Sequence, residues 1–153
     1  MRRKNAGFVQ IIAAIIIAII IVVVVIAMMP KPIVELDAKV KDDTFKLSQQ
    51  GTLTLSLKNN DQTNEIHTRI RLITNNLVHL YTGSTEITQE QSNSGNFATE
   101  FNLLAGQKIE QPVGIRVYEL PQGIANQKFL VTLEVYAENS LVTTQTVYFT
   151  VEQ

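Results

Sequence analysis

The chain has 153 residues, 45% of them hydrophobic, with no cysteine and a formal net charge of −1. Without cysteine it has no disulfide, no thiolate metal ligand and no thiol nucleophile. Setting the leading cations Arg2, Arg3 and Lys4 aside from the 13 basic residues leaves ten against 14 acidic ones, a balance of −4 with no cationic stripe, which argues against nucleic-acid binding.

The first predicted element is apolar. From Phe8 to Met29 the sequence reads FVQIIAAIIIAIIIVVVVIAMM, broken only by Gln10. At ~1.5 Å per residue this run spans about 33 Å, against a hydrocarbon core of roughly 30 Å, and it predicts a transmembrane helix over 8–29. Phe8, Ile15, Ile20, Val25 and Met29 mark its length as the membrane anchor. Pro30-Lys31-Pro32 ends it as a stiff exit linker over 30–32, because residues before proline are driven toward extended geometry.

Arg2, Arg3 and Lys4 lie in a basic segment over 1–7, while Glu35 and Asp37 follow the far end, so charge bias places the N-terminus in the cytoplasm. The expected location is the plasma membrane with the C-terminal domain outside. A cleaved signal peptide fits less well, since Met28-Met29-Pro30 stands where small residues would precede a cleavage site.

After Pro32 the periodicity becomes alternating. Val34 to Lys41 places apolar residues at every second position, and Thr52 to Lys58 repeats the pattern with Leu53, Leu55 and Leu57. Ile66 to Leu72 puts Ile66, Ile70 and Leu72 on one face and His67, Arg69 and Arg71 on the other. Residues 97–103, 113–118, 129–137 and 143–151 supply four more β-rich runs, with Ala105-Gly106-Gln107, Pro121-Gln122-Gly123 and Glu138-Asn139-Ser140 between them. About seven strands predict an all-β, immunoglobulin-like sandwich over 33–153. Residues 77–95 read as a hairpin edge followed by a long polar loop.

Little catalytic chemistry is visible. His67 and His79 are the two histidines, too few for a closed zinc site, and Asp42-Asp43-Thr44 reads as a turn instead of a calcium loop. No serine sits in G-x-S-x-G, and the seven glycines are scattered singly among turns. The chain is therefore expected to be no enzyme and to hold no cofactor or metal. Thr82, Ser84, Arg69 and Arg71 are the candidate partner contacts, while Tyr118, Tyr136 and Tyr148 sit in strand patterns whose default is core or end packing.

Phe45-Lys46-Leu47, followed by Gly51-Thr52-Leu53-Thr54-Leu55-Ser56-Leu57-Lys58-Asn59-Asn60, resembles the first strands of CARDB-type immunoglobulin-like modules of prokaryotic, archaeal included, cell surfaces. Phe101 to Gln107 resembles their mid-domain strand and turn. The resemblance covers residues 33–153 and implies fold, not activity. Ala6-Gly7-Phe8 after the basic triplet resembles the leader of type IV pilin-like and archaellin-like subunits, which implies a cut after Gly7; the glutamate of bacterial pilins is missing. The layout of helix plus sandwich is also similar to stator-like proteins of the archaeal flagellum.

The leading functional expectation is a non-catalytic, single-pass, membrane-anchored interaction module, an accessory or scaffold subunit of a membrane or cell-envelope complex. Its expected partners are the lipid bilayer and other membrane or envelope proteins, with self-association into a homo-oligomer compatible and nucleic acid excluded. A filament subunit, a stator-like protein and a ligand-binding surface receptor remain open as alternatives.

Overall fold

The computed structural model describes residues 5–28, 32–87 and 99–153, with helix side chains described over 11–24. The chain divides into two compact units, Met1–Lys31 and Pro32–Gln153. The first holds one helix, α1 (Asn5–Met28). The second is all β, with ten strands among the described residues.

The helix corrects one expectation. A transmembrane helix over 8–29 is not upheld: among the described residues no helix is long and apolar enough to cross a membrane. The side chains of α1 are described over 11–24. Ile15 and Ile20 lie on it, 53% and 55% exposed. The side chains of Phe8 and Val25, and Met29, Arg2, Arg3 and Lys4 as a whole, lie outside the described residues.

The sandwich follows from alternation. The strands are β1 (Val34–Val40), β2 (Thr44–Lys46), β3 (Gly51–Asn59), β4 (Ile66–Ile73), β5 (Val78–Thr82), β6 (Thr85–Ile87), β7 (Thr99–Leu103), β8 (Lys108–Val117), β9 (Asn126–Ala137) and β10 (Ser140–Glu152). They form two five-stranded sheets, in the orders β1-β3-β8-β5-β6 and β2-β10-β9-β4-β7. Leu53, Leu55 and Leu57 of β3, with Val113, Ile115 and Val117 of β8, line the inner face of the first sheet. Ile70 and Leu72 of β4, with Val131, Leu133 and Val135 of β9, line the second. Fully burying each such side chain stabilises the fold by about 1.5–3 kcal/mol.

The seven runs expected from sequence correspond to β1, β3, β4, β7, β8, β9 and β10, and the structure adds three short strands. Two of these, β5 and β6, form a hairpin in register Thr82↔Thr85, inside the segment read as a hairpin edge and loop. The rest of that segment from 88 onward lies outside the described residues. The third, β2, has only Phe45 buried, too little for a periodic pattern.

This short strand closes the sandwich. After β1 the chain crosses at Lys41-Asp42-Asp43 to the second sheet, where β2 pairs in parallel with the end of β10, Thr44↔Thr150 to Lys46↔Glu152. Phe45 stacks on Phe149 at 5.2 Å between centroids, and Phe149 on Phe129 at 5.7 Å. Gly51 makes room for this stack: a Cβ there would lie 2.6 Å from Phe45 Cε1.

One polar side chain is fully buried among these apolar ones with its bonds satisfied. Asn59 Nδ2 donates to the carbonyls of Asn64 at 2.8 Å and of Leu103 and Leu104 at 3.1 Å each, sharing two hydrogens among three acceptors. Its Oδ1 accepts from the Asp61 amide at 2.8 Å. Asn59 thereby ties the end of β3 to the loop before β4 and to the β7–β8 connection. Beyond it, the Asp61 carboxylate accepts bonds from the side chains of Asn64 and Thr63 and from both their amides, which hold it well below the usual carboxylate range.

Two substitutions test this packing by thermal unfolding. Gly51→Ala crowds Phe45 and is expected to destabilise the sandwich by about 1–3 kcal/mol, and Phe45→Leu in the same chain should recover part of the loss. Asn59→Ala removes the donor shared by the buried Leu103 carbonyl and the part-buried carbonyls of Asn64 and Leu104 and is expected to cost about 1–3 kcal/mol; a melting temperature unchanged from the parent would refute the role given to its carboxamide.

Candidate interaction surface

The inner-face leucines and valines fix what points outward. On β8, burial of Val113, Ile115 and Val117 turns Gly114 and Arg116 to the outer face of the first sheet, with Tyr118 following at the strand's end. On β5, burial of Val78 and Leu80 turns His79 and Tyr81 the same way. The register places His79 opposite Arg116 and Tyr81 opposite Gly114, and on the other side Tyr81 opposite Glu86 of β6.

These side chains form one network. Arg116 Nη1 donates to the Tyr118 hydroxyl at 3.2 Å, and Nη2 to Gln50 Oε1 at 3.0 Å. The guanidinium carbon sits 5.8 Å from the centre of the Tyr81 ring and 5.7 Å from that of Tyr118, within cation–π range. The two phenolic oxygens are 3.0 Å apart. His79 meets the Tyr118 ring edge-on, centroids 5.0 Å apart, and its Nδ1 is 2.6 Å from Glu86 Oε1, so Nδ1 carries the proton that an ionised carboxylate accepts. Gly114 is the floor: a Cβ there would stand 2.8 Å from the Gln50 amide nitrogen and 3.2 Å from Tyr81 Cβ.

The electrostatics give the two tyrosines different roles. The hydrogen bond to Tyr118, and then burial, push the Tyr81 hydroxyl up to about 12. The bonds that Tyr118 receives from Tyr81 and then from Arg116 hold its hydroxyl below the usual tyrosine value. The two hydroxyls share one hydrogen bond, and Tyr118 also accepts from Arg116. The result is a planar cation, two oriented phenols and an amide held on rigid strands, with Tyr118 45% exposed.

The outer face of the second sheet is different. Arg71 lies 3.6 Å from Glu134, whose other contact is the Tyr136 hydroxyl at 2.9 Å. Arg69 donates to the Asn139 side chain, and His67 Nδ1 to Asn102 Oδ1 at 2.9 Å. On this face a carboxylate meets Arg71, while carboxamides meet Arg69 and His67. Arg69 and Arg71, paired in the sequence with Thr82 and Ser84 as candidate contacts, thus sit on β4 of one sheet, while Thr82 and Ser84 belong to the β5–β6 hairpin of the other.

The sequence reading missed Gln50, Gly114, Tyr81 and His79 as members of a site, and took Tyr118 and Tyr148 for core or end residues. Tyr118 lies on the outer surface at the end of β8, and Tyr148 is 53% exposed with Lys128 Nζ 4.5 Å from its ring centre. The signal available was parity: Arg116 and Tyr118 are both out of phase with Val113, Ile115 and Val117. Among the described residues no group of three or more His, Asp or Glu side chains is placed to hold a metal ion.

Alkaline titration followed by tyrosinate absorbance checks the phenol pair. One tyrosine is expected to ionise below the ordinary value and another only at about 12. Because Tyr81 keeps its proton longer in the fold than in the unfolded chain, its contribution to stability is whole below the ordinary tyrosine value of ~10 and is lost as pH rises toward its folded value. Tyr81→Phe should move the early step upward; titration of every tyrosine near the ordinary value would contradict the pairing.

No protein-family model matches the chain, and no curated protein matches it. Solved structures do resemble it. A FixG-related protein from Vibrio parahaemolyticus is 12% identical, with 81% of this chain and 98% of that one covered at a TM-score of 0.52. AvmM, which catalyses macrocyclization in alchivemycin A biosynthesis, is 7% identical, with 80% and 90% covered at a TM-score of 0.54. A CARDB domain from Pyrococcus furiosus is 11% identical, with 81% and 96% covered at a TM-score of 0.44. At such identities the likeness extends to the fold alone, and that fold is a β-sandwich.

Proposed function

We propose that this chain is a non-catalytic interaction module, an accessory or scaffold subunit that docks a protein partner on the outer face of its first sheet. The observation that carries the reading is the Arg116–Tyr118–Tyr81 network: arginine and tyrosine are the residues that most often dominate binding energy, and here they are already oriented and share their bonds. Orienting such side chains beforehand reduces the entropy lost on association. The partner's matching surface carries carbonyls or carboxylates for the guanidinium edge and an apolar patch for the phenol rings.

The non-catalytic part of the reading rests on what the histidines are bonded to. The Nδ1 atoms of His67 and His79 are committed to Asn102 and Glu86, and among the described residues neither ring is bonded to a serine or threonine hydroxyl that it could activate.

Isolation of the chain from its native source with co-purifying proteins identified by mass spectrometry is the direct test. A stoichiometric partner should be recovered with the parent chain. Arg116→Ala is expected to weaken that complex by about 2 kcal/mol, roughly 30-fold in Kd, while Arg71→Ala on the opposite sheet leaves it within twofold. Recovery of the chain with no partner, or equal losses from the two variants, would overturn the proposal.

A further inference from the structure

A second site lies at the side of the sandwich. The first sheet ends at β1, whose far edge carries no strand among the described residues, and β2 covers β10 only over 150–152. The two uncovered edges face each other across a groove of about 630 Å³, lined by Ala38, Lys39 and Val40 on one side and residues 145–150 on the other, with Asp43 and Lys128 beside them.

A side chain already occupies that groove in a revealing way. The Ala38 amide donates to Gln145 Oε1 at 2.9 Å, and Gln145 Nε2 donates back to the Ala38 carbonyl at 3.0 Å. This is the reciprocal pair that one residue of a neighbouring strand would make, so the carboxamide stands in for a peptide group. Strand geometry repeats every two residues, and therefore Leu36 and Val40 turn their peptide groups to the same side as Ala38. Gln145 satisfies only the middle one of the three.

We propose that the β1–β10 groove receives an extended peptide segment of a partner protein, which displaces the Gln145 carboxamide and adds to β1 as a further strand. Its backbone bonds to Leu36, Ala38 and Val40. Side chains facing the floor meet Val147 and Phe149 beside Ala38 and are therefore small and apolar. Lys128 flanks the groove beside Asp43, while the Lys39 ammonium is held by Asp37 at 2.9 Å, so an acidic residue of the segment is met by Lys128. In the absence of that segment Gln145 protects the edge from adventitious pairing.

The test uses the full chain and a synthetic peptide that alternates valine and threonine with a glutamate at each end. In the parent, the peptide is expected to shift the amide resonances of Leu36, Ala38 and Val40. Gln145→Ala removes the competing carboxamide and should tighten binding about fivefold to tenfold. Ala38→Pro removes the outward donor without breaking the β1–β3 ladder and should abolish binding, with the remaining β1 and β3 resonances confirming the fold. Arg116→Ala should leave peptide affinity unchanged, which separates this site from the docking face proposed above. Peptide shifts confined to other strands, equal affinity of the parent and Gln145→Ala, or dimerisation of Gln145→Ala through β1 in place of peptide uptake would each overturn the inference.

Discussion

Everything in the sandwich depends on the two-residue period of the β-strand. A strand that buries Leu53, Leu55 and Leu57 must expose Thr54 and Ser56, and a strand that buries Val113, Ile115 and Val117 must present Gly114 and Arg116 outward. The core and the outer faces are thus one decision made twice. A one-residue slip of β8 against β5 would bury Arg116 and expose Ile115, so the apolar seam holds the Arg116–Tyr118–Tyr81 network in register.

The two outer faces apply that constraint to opposite ends. On the second sheet, Arg71 faces the Glu134 carboxylate, and Arg69 bonds the Asn139 carboxamide. On the first sheet the arginine is bonded to a phenol and an amide, neither of which cancels its charge. Gly114 makes that possible, since a Cβ there would displace the Gln50 carboxamide and crowd Tyr81 Cβ. Packing space, more than charge count, separates the face proposed for docking from the opposite one.

The sandwich was legible because its longer strands alternate cleanly, with β3 and β4 the clearest cases. What was not legible depends on chain segments remote in sequence. Phe45 is buried only because β2 pairs with residues more than a hundred positions away, and Gln145 acquires meaning only when it meets Ala38. Tyr118 reads as a core residue so long as the inward phase of β8 is unassigned. The apolar run at the start misled in a different way: hydropathy reports composition alone, and among the described residues no helix is long and apolar enough to cross a membrane.

The parallel pairing of β2 with β10 has a mechanical consequence. Chain enters the sandwich through β1 and β2 and leaves through β10, so tension applied between Ile33 and Gln153 runs along the β2–β10 interface. Its hydrogen bonds lie across the direction of pull and share the load, whereas an antiparallel hairpin pulled at its open ends would lose them one at a time. With Phe45 stacked on Phe149 beside it, a ladder of only three residue pairs is the one that would bear force.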